Sequence, residues 1–307
     1  MSTWTREAFL LRCDSGAECF ALLTLPAGRP RGVLLHLPAF AEEMNKSRRM
    51  VALTAQTLAQ AGWATLIYDP AGCGDSAGVL EAQTWEGWLD EIDSMKAWVV
   101  QRFGQPPLLW GLRAGCLLLA GHLARHAGQE RGQAPPAPAM LWQPVFNGRQ
   151  HLTQFLRIRM AADMLADADA KGVMQSMREQ LAAGECVEVA GYRLPPALAE
   201  GLGSATLALP AAAVSNIFLG EVQSPPASAI ADAAAQPPAA LSPAARLAIE
   251  RWRGSGLAVH ETAVTGPAFW NTLDITTAPA LLQASCAWLA SLPSASSQER
   301  LRMEGVA

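Results

Sequence analysis

The pentapeptide Gly111-Leu112-Arg113-Ala114-Gly115 has arginine at its centre, a position where similar segments carry a nucleophilic serine. The apolar run 106–110 before it predicts a short strand, and the apolar spacing of 116–125 after it predicts a helix. In strand–turn–helix segments of the form G-x-S-x-G, a sharp turn exposes the central serine as a nucleophile. Arginine stands at that position here. A guanidinium stays protonated in proteins, so Arg113 can bind an anion but cannot attack an acyl carbon.

A cluster of charged and amide side chains follows the apolar run 32–37, which predicts a buried strand. Because parallel strands end at the same edge of a sheet, we expect this cluster to lie near Arg113. A glutamate that faces inward would accept two parallel hydrogen bonds from the guanidinium. Such a pair would favour binding of a polar or anionic small molecule, or of an acyl-like or carbohydrate-like ligand. The predicted ligand-binding residues are Glu42, Glu43, Asn45, Arg113 and Trp270, the last as a ring on which a sugar could stack.

The same cluster leaves two points open. Glu42 and Glu43 are adjacent, so the sequence does not say which of them faces Arg113. Arg48 and Arg49 are expected to face solvent, which makes the glutamates and Asn45 the better site members. Arg113 also has a purely structural interpretation, in which it forms a buried ion pair that braces its own turn.

A glycine-rich segment, Asp69-Pro70-Ala71-Gly72-Cys73-Gly74-Asp75-Ser76, follows the predicted strand 64–68. Aspartate side chains commonly bond to the backbone of their own loop, and glycines supply the turns. We therefore interpret Asp69, Gly72, Gly74 and Ser76 as parts of a structural loop and not as catalytic residues.

This segment resembles the D-x-x-G-x-G-x-S loop of α/β-hydrolases, and with the elbow the resemblance covers about residues 30–290. It implies an α/β-hydrolase fold, with a mostly parallel central sheet, helices on both faces and a lid insertion. More narrowly, residues 42–49, the Gly111-Leu112-Arg113 elbow and residues 266–270 are similar to the second of two hydrolase-like families associated with the exosortase A system. Those families accompany exopolysaccharide and PEP-CTERM protein-sorting loci in Gram-negative bacteria. The resemblance implies that setting and a protein partner from the same locus, but it implies no reaction.

The other members of a Ser-His-acid triad are also missing from their expected places. Glu221 lies near the position of the acid, after the predicted strand 214–219, but the loop that begins at Thr265 has no histidine. His151, at the entrance of the predicted lid, is expected at the surface, with a position in the pocket as the alternative. Cys116, one helical turn after Arg113, is expected to be a buried, inert thiol. These observations disfavour a Ser-His-acid mechanism.

Three functional hypotheses remain. The first is a catalytically inert protein that binds a polar ligand or a partner in an exopolysaccharide pathway. The second is an unusual hydrolase or acyltransferase that acts on esters or thioesters. Its catalytic candidates are Arg113, which would polarise a carbonyl, and Glu43, which would act as the base. Arg113 would lower the pKa of Glu43, which weakens this hypothesis. The third is a purely structural partner of a companion protein.

Composition narrows the class of protein. The 307 residues are 50% hydrophobic and 16% charged, with a formal net charge of −4, which gives no reason to expect nucleic acid as a partner. No apolar run reaches the roughly 18 residues that span a bilayer, and the N-terminus is a poor secretory signal. The six cysteines are scattered, which predicts reduced thiols and a cytoplasmic protein. No cofactor and no metal site are predicted.

The remaining patterns predict a domain organisation. Strands are expected at 9–11, 19–25, 139–142 and 257–264, and helices at 44–61 and 85–103. Residues 148–210 interrupt the alternation with a helical stretch at 152–181 and a hairpin at 187–194, which predicts a lid between core segments 1–147 and 211–292. Residues 223–246 are expected to form a long loop, and 293–307 a flexible tail.

Overall fold

The central element of the computed structural model is a mixed sheet with the strand order β1-β2-β4-β3-β5-β6-β9-β10. The structure describes residues 4–127, 136–164, 170–224 and 238–292. Antiparallel pairing is confined to β1–β2 and β2–β4, and the other neighbours in this sheet are parallel. The strands are β1 (Trp4–Arg12), β2 (Glu18–Pro26), β3 (Val33–Leu37), β4 (Ala64–Tyr68), β5 (Leu108–Leu112), β6 (Ala137–Trp142), β7 (Val187–Val189), β8 (Tyr192–Leu194), β9 (Val214–Gln223) and β10 (Ala258–Thr265). Strands β7 and β8 form a separate antiparallel hairpin.

The central strands of the sheet are buried on both faces, and their side chains are apolar apart from His36. Every residue of β3 and of β5 is buried. Leu35 and Leu37 belong to one apolar cluster and Leu34 belongs to another, as the alternation of side chains along a strand requires. This arrangement confirms the predicted mostly parallel sheet with helices on both faces.

The helices follow capping signals that the sequence carries. Helix α2 begins where the Thr84 side chain accepts a hydrogen bond from Gly87 N at 2.9 Å, and it ends at Gly104 in the left-handed conformation. The helices are α1 (Glu42–Gln60), α2 (Trp85–Phe103), α3 (Gly115–His126), α4 (Gly148–Met164), α5 (Ala170–Ala182), α6 (Pro196–Ser204), α7 (Pro243–Gly254) and α8 (Pro279–Ser291). No helix in the described ranges is both long enough and apolar enough to cross a bilayer.

Several predicted boundaries are wrong. Strand β5 begins at Leu108 and not at residue 106, because the two prolines at 106–107 cannot donate to the ladder that starts with Leu34 and Leu108. Strand β9 continues to Gln223 through its parallel pairing with β10. Residues 243–246, predicted as loop, are the first turn of α7, which Ser242 caps by accepting a hydrogen bond from Ala245 N. Residues 224 and 238–242 are irregular, as predicted for the loop, whereas 225–237 and the predicted tail, 293–307, lie outside the described residues.

The segment between β6 and β9 contains α4, α5, the β7–β8 hairpin and α6. The hairpin occupies the predicted 187–194. The helical stretch predicted at 152–181 is instead two helices, and α6 was not predicted. Helix α6 approaches α2 so closely that a Cβ on Gly201 would lie 2.1 Å from Cβ of Trp85. The exact limits of a lid domain at 148 and 210 stay a prediction.

Candidate functional site

The turn between β5 and α3 retains the backbone conformation of an elbow. Arg113 has φ = 54°, in the left-handed region that residues other than glycine rarely adopt. Its N–H donates to Trp142 O at 3.0 Å, and its carbonyl accepts from Cys116 N at 3.0 Å. A Cβ on Gly115 would lie 2.1 Å from the carbonyl oxygen of Leu37, so only glycine allows α3 to begin this close to β3. The turn therefore still presents a side chain at the sheet edge, and that side chain is a guanidinium.

Glu43, and not Glu42, is the residue that faces Arg113. Nε of Arg113 donates to Oε1 and Oε2 of Glu43 at 3.1 and 3.2 Å, and Nη2 donates to Oε1 at 2.8 Å. The two side chains are 16% and 20% exposed. Nη1 of Arg113 lies 3.5 Å from the carbonyl oxygen of Gln143, which makes that bond long. Two of the five guanidinium N–H groups of Arg113 have no acceptor among the described residues. They remain available to a hydrogen-bond acceptor of a ligand.

Trp270 lies under the Arg113 guanidinium. The guanidinium carbon is 5.4 Å from the centre of the indole ring, a cation–π distance. Trp270 is only 8% exposed and also packs edge-on against Phe269 at 5.1 Å. The face of Trp270 that meets Arg113 is therefore occupied by protein, and a sugar ring would need Arg113 to move before it stacked there.

His151, at the start of α4, lies beside the same pair, and the expectation of a surface position for it is wrong. The residue is 6% exposed, and Nε2 is 3.9 Å from Oε2 of Glu43, beyond hydrogen-bond distance. Burial lowers the pKa of His151, so its ring is neutral near pH 7. Its Nδ1 has no hydrogen-bond partner in the described residues. The burial of His151 depends on how α4 packs against Phe40, which no local sequence pattern shows.

Glu42 and Asn45 contact the β7–β8 hairpin and not Arg113. The Tyr192 hydroxyl donates to Oε2 of Glu42 at 3.2 Å, and Nδ2 of Asn45 donates to the Tyr192 hydroxyl at 2.8 Å. Burial and the neighbouring Glu42 raise the pKa of Tyr192 to about 12, so it stays a donor. Tyr192 was not among the predicted site residues, because it lies about 150 positions from its partners. These bonds attach the hairpin to the first turn of α1.

The glycine-rich loop is built around Asp69. Its carboxylate accepts from both terminal nitrogens of Arg48 at 3.0 and 2.9 Å and from Asp75 N at 3.0 Å. The Ser76 hydroxyl donates to Asp69 O and accepts from Phe20 N. The bonds stabilise the loop next to α1, and Arg48 is an ion-pair partner instead of the freely solvated residue that we expected.

The remaining glycines of this loop hold its turns. Gly72 and Gly74 have φ of 75° and 55°. A Cβ on Gly72 would lie 2.7 Å from the backbone of Val79.

The segments that carry the catalytic acid and histidine in a Ser-His-acid hydrolase do not supply these residues to the elbow here. Glu221 lies inside β9 and accepts from the backbone and hydroxyl of Ser242 at 2.6 and 2.8 Å, so it anchors the start of α7. The loop after β10, residues 266–278, carries no histidine. Burial raises the pKa of the Cys116 thiol well above its ordinary value, in keeping with an inert side chain.

Two cavities lie near the elbow. One, lined by Ala39, Phe40, Trp88 and Ala114 among others, has about 10 Å³, enough for one water molecule. The other, of about 280 Å³, lies between α1 and the sheet. Apolar side chains from β2, β4 and α1 line it, and the Arg48–Asp69 pair borders it. Only the second cavity has room for an organic ligand.

Comparison with known proteins agrees with this architecture. A family model described as "Serine aminopeptidase, S33" matches residues 28–195, more than half of the chain. No curated protein sequence matches the chain significantly.

Solved structures, among them a carboxyl esterase, share the fold at low sequence identity. Est1E from Butyrivibrio proteoclasticus, with bound ferulic acid, has a TM-score of 0.58 at 14% identity over 92% of this chain and 98% of that one. A hypothetical protein from Pseudomonas aeruginosa has a TM-score of 0.55 at 12% identity over 94% of each chain. A thermostable carboxyl esterase from Bacillus coagulans, with glycerol, has a TM-score of 0.54 at 11% identity over 93% and 98%. These likenesses show an α/β-hydrolase fold.

Proposed function

Because this chain belongs to the serine aminopeptidase S33 family of α/β-hydrolases and yet carries Arg113 at the elbow, we propose that it is a non-catalytic binding or accessory protein. The observation that carries the proposal is the bidentate Glu43–Arg113 pair at the tip of the turn. Each carboxylate oxygen of Glu43 already accepts a hydrogen bond from the guanidinium, so Glu43 would have to give up one of these bonds before it could accept a proton from a substrate.

The pair supports binding of a ligand with hydrogen-bond acceptors. Arg113 retains N–H groups without a recorded acceptor in the described residues, and its side chain is 16% exposed, so a ligand can reach it from solvent. A planar guanidinium matches carboxylate and phosphate groups geometrically. Because Glu43 neutralises most of the charge, recognition would rest on directed hydrogen bonds more than on long-range attraction. The 280 Å³ cavity beneath α1 has room for an acyl-like group, but neither Glu43 nor Arg113 lines it, so it would be a second binding place.

The biological setting belongs to the same proposal. The similarity of residues 42–49 and 266–270 to the exosortase-associated family supports a role in an exopolysaccharide or PEP-CTERM system, with a protein partner from that locus. We place the protein in the cytoplasm on the spacing of its cysteines.

Binding is testable with defined probes. Isothermal titration with glucuronate, glucose 6-phosphate, inorganic phosphate and octanoate covers the carboxylate, sugar, phosphate and acyl chemistries. The proposal predicts saturable binding of at least one probe that Arg113→Met abolishes. The control is Arg49→Met, which removes an exposed arginine of α1. This variant should bind the probes as the wild type does. Binding that Arg113→Met leaves unchanged would contradict the proposal.

An alternative is an active hydrolase or acyltransferase that acts on an ester or thioester through Glu43 and Arg113. The observation that favours it is His151, whose neutral, buried ring lies 3.9 Å from Glu43. A small movement would let this histidine share in proton transfer. Turnover of activated esters that is lost in Glu43→Gln and in His151→Ala would establish this alternative and remove the non-catalytic proposal.

A further inference from the structure

Two helices bring three side chains that can bind a metal close together, away from the Arg113 site. Asp93 lies on α2, and His122 and His126 lie one turn apart on α3. One ligand atom from each residue lies within 4.8 Å of those of the other two. Helix α3 begins at the elbow, so these histidines lie roughly 10–17 Å along its axis from that turn, at 1.5 Å per residue. The cluster is therefore separate from the Glu43–Arg113 pair.

One carboxylate oxygen is shared by both rings. Oδ1 of Asp93 is 3.2 Å from Nδ1 of His122 and 2.8 Å from Nε2 of His126. Nδ1 of His122 is near enough to Oδ1 for a hydrogen bond but lacks the direction for one. The other oxygen, Oδ2, lies 3.5 Å from Nη1 of Arg125, which orients the carboxylate and leaves Oδ1 to the rings.

The donor set suits a divalent transition metal. Two imidazoles and one carboxylate are a common zinc donor set, and tetrahedral bonds of about 2.0–2.1 Å place ligand atoms about 3.3 Å apart. The two distances to Asp93 Oδ1, 3.2 and 2.8 Å, lie within about half an ångström of that value, and all three ligand atoms lie within 4.8 Å of one another, so a small rotation of the imidazoles would close the site. The His122 side chain is fully buried, whereas those of His126 and Asp93 are 24% and 36% exposed. The site thus has a rigid inner wall and an outer side on which water can complete the coordination.

We propose that Asp93, His122 and His126 bind a divalent transition metal, with Zn²⁺ as the best match, which links α2 to α3. The link would stabilise the packing of α2 against the C-terminal half of α3, and it does not depend on the proposed ligand function. Burial lowers the pKa of His122, so its ring is already neutral near pH 7, as a ligand must be. The sequence analysis predicted no metal site, because Asp93 is 29 positions from His122 and only the packing of α2 on α3 joins them.

Lys96 competes with the metal. Its Nζ lies 2.8 Å from Nε2 of His122, and an ammonium can only donate there, so the ring proton of the metal-free form sits on Nδ1. A metal on Nδ1 moves that proton to Nε2, where it would meet the ammonium. Lys96 must then turn towards solvent. Removal of the lysine charge should therefore tighten metal binding. If the cluster were only an ion-pair network, the same change would not affect metal binding.

The test is a Co²⁺ titration of the full chain without a histidine tag, followed by visible absorption and then by displacement with Zn²⁺. The expected result is one saturable site with the absorption of four-coordinate cobalt, which Zn²⁺ removes. His126→Ala and Asp93→Asn should each weaken binding about 100-fold or more, at least as much as the loss of an outer-shell partner does. Lys96→Met should strengthen binding several-fold.

Matched controls separate this site from adventitious binding. Asp90→Asn removes a neighbouring carboxylate of α2 that also contacts Arg125, and His260→Ala removes an exposed histidine on β10. Both should bind Co²⁺ as the wild type does, and circular dichroism should show every variant folded. The absence of a saturable site in the wild type would overturn the proposal. Equal binding by His126→Ala would do so as well.

Discussion

The Glu43–Arg113 ion pair should be strongly coupled in the folded state, and a double-mutant cycle measures that coupling. The variants are Arg113→Met, Glu43→Gln and the double variant. Removal of one partner from a fully buried pair costs about 3–5 kcal/mol, because the other charge remains uncompensated. Since these side chains are 16% and 20% exposed, we expect each single variant to lose about 2–3 kcal/mol of unfolding free energy. The double variant should lose about as much as either single one, which gives a coupling energy of about 2–3 kcal/mol.

The assay is urea unfolding at pH 7, followed by far-UV circular dichroism because Trp270 fluorescence responds locally to Arg113. The Arg193–Glu81 pair is a surface control, with a 3.2 Å contact between side chains that are 61% and 30% exposed. Its coupling should stay below about 1 kcal/mol. A coupling for Glu43–Arg113 that does not exceed that of the surface pair would refute the reasoning.

Three further outcomes follow from single contacts. Arg113→Ser should hydrolyse p-nitrophenyl acetate no faster than the wild type, because the loop 266–278 supplies no histidine to activate the serine; a clear gain in rate would contradict this account. Burial raises the pKa of the Glu91 carboxyl from 4.5 to about 7, so the folded state binds the extra proton and stability falls as the pH rises from 4.5 to 7, by up to about 3 kcal/mol. Urea midpoints measured over that range should fall in the wild type and change less in Glu91→Gln, and equal slopes would disprove the assignment. Gly115→Ala should cost more than about 2 kcal/mol, since its Cβ would lie 2.1 Å from Leu37 O, while Gly254→Ala, with open space around it, should be near neutral in the same unfolding assay.

The elements with strong local signals were predictable from sequence. Helix α2 is found at the predicted 85–103, because its threonine cap, apolar stripe and terminal glycine all lie within the segment itself. Strand β4 is likewise found at 64–68. The extension of β9 was missed because it depends on pairing with a distant strand, β10, and α6 was missed because its packing against α2 lies outside any local window.

The candidate site was predictable in part. The elbow and its arginine follow from the spacing of residues, and the contact between a glutamate and Arg113 was anticipated. Adjacent residues at the start of α1 point about 100° apart, so only the helix orientation decides that Glu43 faces Arg113 while Glu42 meets Tyr192. The burial of His151 was misjudged for a similar reason, since it depends on the docking of α4.

The central claim is that the elbow binds and does not catalyse. The most direct measurement is turnover of activated esters and thioesters by the wild type and by Arg113→Ala, prepared in parallel. The account predicts rates at the buffer background for both proteins. Wild-type turnover well above background that disappears in Arg113→Ala would contradict it and show that Arg113 takes part in catalysis.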